Sequence, residues 1–189
     1  STVRTRMSIL DGSLLYLGYL LAFVGAALAC FGAAYRALQI PHTGTRQSLF
    51  VFFLTSGGWA ATYVGFLVSK GPVPKNIAYL ASLVVGFGTV WAWLWFCSAY
   101  TGRSLHQNTT IQTLAAIIFG VVVLLKLTNP VHALYYTLEP ASTEGFGLVV
   151  RHGLLYWVVM GLSYALAVAG YLMLFELFAR TGNHTGPLA

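Results

Sequence analysis

Leu114-Ala-Ala-Ile-Ile-Phe-Gly-Val-Val-Val-Leu-Leu-Lys126-Leu-Thr-Asn-Pro-Val-His-Ala-Leu-Tyr-Tyr136 holds both characters of the chain: a long apolar run, then a chemically specific corner. The apolar part begins at Ile111 and runs to Leu127, the short end of the roughly 17–25 residues that cross a bilayer as a helix. Lys126 near its end is expected to snorkel to the headgroups. Pro130 has no N–H and steers Asn129 away from the helical region, so the helix is expected to end there. Tyr135 and Tyr136, two amphipathic aromatics beside a helix end, read as residues of a membrane–water interface.

Working outward, the charge distribution sets the class. Of the 189 residues, 58% are hydrophobic and only 7% charged, against about 25% charged in soluble domains. The charged residues separate long uncharged runs: Gly12 to Tyr35, Gln47 to Ser69, Asn76 to Gly102 and His152 to Phe175. Each is long enough to span, and the Ile111 to Leu127 run makes a fifth. The expectation is an all-α fold, a polytopic bundle of five membrane-spanning helices at about 13–36, 48–69, 76–100, 110–127 and 152–180, with no sheet. We read residues 1–189 as a single transmembrane domain.

The net charge of +6 and sequence pI near 9.5 are assigned to headgroup anchoring rather than nucleic acid, because the basic residues lie mostly at helix ends. Two cysteines, Cys30 and Cys97, sit inside apolar runs and read as buried small hydrophobes. Gly18, Ala22, Gly25, Ala29 and Gly32 form a small-residue stripe on the first helix; Gly161, Ala165 and Ala169 do the same on the last. Small residues let helices approach closely in lipid, so both stripes are expected to be packing faces. On the second helix Ser56, Trp59 and Tyr63 share a face, which reads as backbone-bonded hydroxyls or as the wall of a small-ligand pocket. Asn108-Thr109-Thr110 matches a glycosylation sequon, a pattern that recurs by chance. The longest loop, Asn129 to about Val150, contains Glu139, Glu144 and Gly145-Phe146-Gly147 and is long enough to cap the bundle. Glu176 and Arg180 are four apart, the spacing of an ion pair on a helix.

Motifs for catalysis are missing: no Gly-rich phosphate loop after a strand, no His-Glu-x-x-His, no Cys-x-x-Cys. No acid lies in the middle of a helix, which counts against an ion-coupled transporter. A small channel or transporter for a neutral solute stays open as the alternative function. No cofactor or metal site is read from the sequence. His132 reads as a structural hydrogen-bonding residue or as a pH sensor.

These segments, in order, resemble the N-terminal seven-transmembrane sensor region of prokaryotic histidine kinases. Ser56-Gly57-Gly58-Trp59-Ala60-Ala61-Thr62-Tyr63 is similar to its second helix, and Cys97-Ser98-Ala99-Tyr100-Thr101-Gly102-Arg103 to the end of its third. Leu127-Thr128-Asn129-Pro130-Val131-His132 resembles its signature after the fourth; Tyr156-Trp157, Ser163-Tyr164 and Gly170-Tyr171-Leu172 resemble the fifth. The family pattern has two further helices, usually followed by signalling domains, so the resemblance implies a truncated relative or one piece of a longer receptor.

The resemblance implies a non-catalytic sensory module feeding a two-component pathway from a multi-pass position in a prokaryotic cell membrane. The residues named for signal or ligand sensing are Asn129, Pro130, His132, Trp59 and Tyr63. Asn129, Pro130 and His132 are expected to form a rigid corner that holds the long loop over the bundle, with Asn129 bonding the open helix end and His132 pointing back at the bundle. The expected partners are the lipid bilayer, a small-molecule or membrane-derived signal, and a second copy of the chain. With the C-terminus cytoplasmic, Arg36, Arg46, Arg103 and Arg180 fall inside and Arg4, Arg6, Lys70, Lys75, Lys126 and Arg151 outside. That count mildly favours the opposite topology.

Overall fold

The computed structural model describes residues 2–140 and 148–182, with side chains for 13–139 and 149–181. The helices are α1 (Thr2–Ala37), α2 (Thr43–Val68), α3 (Pro72–Tyr100), α4 (Thr109–Leu127), the single turn α5 (Asn129–His132) and α6 (Leu154–Gly182). All but α5 are long and apolar enough to cross a membrane, five spans among the described residues. Their ends follow from local chemistry. His42 caps α2, its Nδ1 accepting from Thr45 N at 3.5 Å, so α2 starts at Thr43 rather than near residue 48. Gly71, at φ +89, turns the chain into α3, and Pro72 occupies the first turn where its missing N–H costs nothing. Asn108 caps α4, its Oδ1 accepting from Thr110 N at 2.9 Å and Ile111 N at 3.3 Å. The sequon asparagine therefore has a structural task.

α3 is the central helix, packed against α2, α4 and α6, while α1 packs on α2. The core joins Phe66, Leu67, Tyr79, Phe87, Val122, Tyr135, Tyr136 and Val159. Most other large apolar side chains face outward, among them Leu28, Ile117, Leu124, Phe175 and Phe178. In water such a surface would drive aggregation; in a bilayer it is the solvated surface. Cys97 is fully buried and Cys30 half-buried; both are free thiols.

Five expectations about the loop, the helix faces and the corner are corrected. The long loop is not free of strand: β1 (Tyr136–Pro140) and β2 (Leu148–His152) form an antiparallel hairpin pairing Tyr136 with His152 and Glu139 with Val149. Arg151 and Glu139 make an ion pair across it at 2.8 Å. Each strand is only five residues long, too short for alternation to stand out beside five spanning helices. Glu144 and Gly145-Phe146-Gly147 lie outside the described residues.

The small-residue stripes are not packing faces. Among the described residues, a Cβ built on Gly18, Gly25, Gly32 or Gly161 meets nothing within 4 Å. α1 instead turns Tyr16, Leu20, Phe23 and Ala27 inward. The small residue at the α1–α2 contact is Gly57 on α2, where an added Cβ would meet Phe31 at 2.9 Å and Cys30 at 3.2 Å. In lipid, burial does not select between small and large residues, so composition could not orient the helix.

Lys126 does not snorkel. It is 2% exposed, turned into the bundle. Tyr135 and Tyr136 are 2% and 3% exposed, core residues rather than interfacial ones. Pro130 does not itself stop α4, which ends at Leu127; it sits in the first turn of α5. α5 closes at Ala133, a left-handed residue at φ 51, ψ 19.

Candidate functional site

The residues that converge lie at the hairpin end of the bundle, where α2 and α4 finish and α3 and α6 begin. A cavity of about 320 Å³ opens there between α2, α3, α4 and α6. Trp59 and Tyr63 contribute from α2, Tyr79 and Phe87 from α3, Lys126 from α4, Tyr156 from α6, and Tyr135 from the corner. Its volume sits at the lower end of the range for small-molecule sites, and its wall is mostly aromatic with few polar groups, the usual make-up of such sites.

Each wall residue has a local reason to be there. Trp59 reaches α3 because Gly86 opposes it: a Cβ on Gly86 would lie 2.9 Å from the indole Cδ1. Phe23 of α1 backs both α2 aromatics, stacking on Tyr63 at 4.3 Å and meeting Trp59 edge-on at 5.9 Å. Val122, Lys126 and Asn129 are four and three residues apart, and all three are buried, so the inward face of α4 carries Lys126 into the core and continues into α5. There Lys126 Nζ donates to Leu83 O at 2.6 Å. The ammonium also stands 4.7 Å from the Phe87 ring centre and 5.5 Å from that of Tyr135. A carbonyl and two ring faces offset part of the cost of burying a cation. Among the described residues no carboxylate pairs with Lys126; the ion pairs are Arg103–Glu176, Arg180–Glu176 and Arg151–Glu139.

Asn129 builds the corner from behind. Its Oδ1 accepts from Tyr135 N at 2.9 Å and Tyr136 N at 3.2 Å, and its Nδ2 donates to Tyr136 O at 2.9 Å. These bonds go to the segment beyond α5, not to the open end of α4. They aim Tyr135 into the cavity and Tyr136 against Tyr79, whose ring it meets edge-on at 4.8 Å. The Tyr136 hydroxyl donates to Asn76 Oδ1. α6 is joined to the same segment: Gly153 N donates to Tyr135 O at 2.9 Å and Leu155 N to Leu134 O at 3.3 Å. Gly153 admits this approach because a Cβ there would overlap the Leu134 carbonyl.

Burial pushes the Tyr135 and Tyr136 phenols above their usual range, so both stay protonated donors. Burial lowers His152, which stacks on Tyr156 at 3.7 Å and hydrogen-bonds the Tyr79 hydroxyl at 3.0 Å. Its neutral Nε2 can accept from the phenol.

Of the residues named from sequence, Trp59 and Tyr63 line the cavity and Asn129 supports it. Pro130 is exposed and lies with Asn129 along a separate groove beside Asn76 and Tyr136. His132 turns back onto α4 rather than toward the cavity. Its Nδ1 accepts from Leu134 N at 3.0 Å, so Nε2 carries the proton and donates to Leu125 O at 3.2 Å. Sequence reasoning missed Lys126, Tyr79, Tyr135 and Tyr156. For Lys126 a usable signal existed in the four-then-three spacing with Val122 and Asn129. For Tyr135 none did, because its position depends on the corner.

Chemically, the site offers a buried lysine amine, phenolic donors and aromatic walls, and among the described residues no carboxylate lines it. Among the described residues no three His, Cys, Asp or Glu side chains group as metal ligands.

Comparison with curated proteins and with solved structures finds no match. Comparison with family profiles matches residues 20–186, which include most of the first span, the other four whole and the corner, to the N-terminal 7TM region of histidine kinase. The chain is thus a multi-pass membrane protein that belongs to the family of N-terminal 7TM regions of histidine kinases.

Proposed function

We propose that this chain is a non-catalytic signal-input module of a histidine-kinase receptor, and that it receives a small molecule in the cavity at the hairpin end. The observation that carries this reading is the cavity itself: an aromatic chamber holding one buried cation, in a membrane region that belongs to kinases. Asn129 would transmit occupancy, since it ties Tyr135 in the cavity wall to the start of the hairpin. A second copy of the chain is a further proposed partner, because kinases that phosphorylate in trans need two.

The charge balance no longer opposes a cytoplasmic C-terminus once burial is taken into account. Lys75 and Lys126 are 5% and 2% exposed and bond to Phe66 O and Leu83 O. Neither reaches headgroups. Removing them from the outer side leaves Arg4, Arg6, Lys70 and Arg151 against Arg36, Arg46, Arg103 and Arg180, and the bias toward the opposite topology disappears.

The test is to fill the cavity in the full receptor. Ser163→Trp places an indole in the chamber from α6. Autophosphorylation in membrane vesicles is expected to become insensitive to stimulus at normal expression. Unchanged stimulus response would overturn the cavity as the input site. Protein-dependent glycerol flux in proteoliposomes would instead favour a channel or transporter for a neutral solute.

A further inference from the structure

Resting on the reading of this cavity as a ligand site, we propose that its ligand is a small apolar carboxylate, held by Lys126 and the Tyr135 hydroxyl. An ammonium carries three N–H donors. One goes to Leu83 O, and beyond the Phe87 and Tyr135 ring faces the other two meet no hydrogen-bond acceptor among the described residues. The Tyr135 hydroxyl likewise makes no hydrogen bond among the described residues, although the residue is only 2% exposed and lines the cavity. Nearby, the Tyr156 ring lies 5.9 Å from that of Tyr135. So two buried residues, a cation and a neutral donor, border one chamber with donor capacity in excess and no acid to consume it. Donors without acceptors match an anion; a neutral alcohol could accept from both but brings no charge, and a cation would be repelled. A carboxylate oxygen pair accepts from both, and charge-assisted bonds of this kind are the strong ones.

The remaining wall decides the rest of the molecule. Trp59, Phe87, Val159 and Met160 are apolar, so the body beyond the carboxylate is aromatic or a short aliphatic chain. A volume of about 320 Å³ admits one ring with a short tail.

The experiment uses isothermal titration of the full chain in phosphatidylcholine nanodiscs, referenced to empty nanodiscs. The probes are 4-phenylbutyrate, 4-phenylbutanol and 4-phenylbutylamine, which share a body and differ in head charge. The acid is expected to bind at least tenfold more tightly than the alcohol, with no binding of the amine. Lys126→Met is expected to erase that preference, and Tyr135→Phe to weaken the acid several-fold while the melting curve holds. An acid bound no better than the alcohol by the unaltered protein overturns the inference, and so does a preference that survives Lys126→Met. Should Lys126→Met fail to assemble, the selectivity of the unaltered protein and the Tyr135→Phe loss decide the matter. Equal binding of acid and alcohol, both weakened by Ser163→Trp, would overturn the carboxylate while leaving the cavity as the input site. Binding of none of the three would remove the carboxylate inference, and an unchanged stimulus response in Ser163→Trp would then remove the cavity reading separately.

Discussion

Asn129 and Tyr136 are joined twice: the Asn129 Nδ2 donates to Tyr136 O at 2.9 Å while its Oδ1 accepts from Tyr136 N at 3.2 Å. The same Oδ1 takes the Tyr135 N–H at 2.9 Å. One buried carboxamide therefore satisfies two backbone donors and one acceptor at the mouth of the bundle. Asn129→Ala leaves all three without a partner, and each buried unsatisfied group costs roughly 1–3 kcal/mol. We expect a loss of about 3 kcal/mol, read as a lower melting temperature in detergent. A melting curve that did not move would show that water reaches the corner.

His132→Ala should behave differently. It removes the acceptor of Leu134 N–H and the donor to Leu125 O, but at a half-buried site where water can substitute. A loss of about 1 kcal/mol is expected, with probe binding in the cavity unchanged. Loss of binding at intact stability would place His132 in the input route after all.

Lysine chemistry reports the inward turn of α4. The chain has three lysines, Lys70, Lys75 and Lys126. Lys70 is exposed, whereas Lys75 and Lys126 are 5% and 2% exposed. A brief pulse of a membrane-impermeant amine-reactive ester on nanodisc-embedded protein should label Lys70 and spare the other two, as read by peptide mapping. Labelling of Lys126 at the rate of Lys70 would return it to the headgroups.

The spans were legible because charge is scarce and its spacing matches bilayer thickness. The corner was legible in part: Asn129-Pro130 announced a break, but which backbone groups Asn129 would bond depended on the path after Ala133. The inward faces were the least legible. Hydrophobic periodicity distinguishes core from water, and in lipid both sides of a helix are apolar, so Gly25 and Lys126 were each placed on the wrong side. Polar residues are the better guide in such a helix: Lys126 and Asn129, three apart, mark the inward face of α4 that Gly120, with nothing near its Cβ position, could not.

Glycine substitutions separate close approach from open surface. A Cβ on Gly153 would overlap the Leu134 carbonyl, backbone that cannot move without shifting the corner. Gly153→Ala should cost about 1–3 kcal/mol, the usual penalty of overpacking. Gly25 has nothing within 4 Å, so Gly25→Leu should melt with the unaltered protein in detergent. A destabilised Gly25→Leu would put a neighbour against the α1 stripe.

Acid should loosen the hairpin end through His152. Burial holds its folded pKa below the ordinary 6.5, so the unfolded chain takes up a proton first as pH falls. The contribution of neutral His152 is fully present above the unfolded value and is lost as pH drops through that value toward the folded one. The groups against it are the Tyr79 hydroxyl at 3.0 Å and the Tyr156 ring at 3.7 Å, both without negative charge to favour an imidazolium. The melting temperature should therefore be level above about pH 7 and fall below about pH 6.5, following the ordinary histidine range. His152→Gln keeps a polar partner for Tyr79 but cannot take up that proton, and it should flatten part of the decline between pH 7 and pH 5. Equal slopes in both proteins would assign the acid sensitivity to other groups.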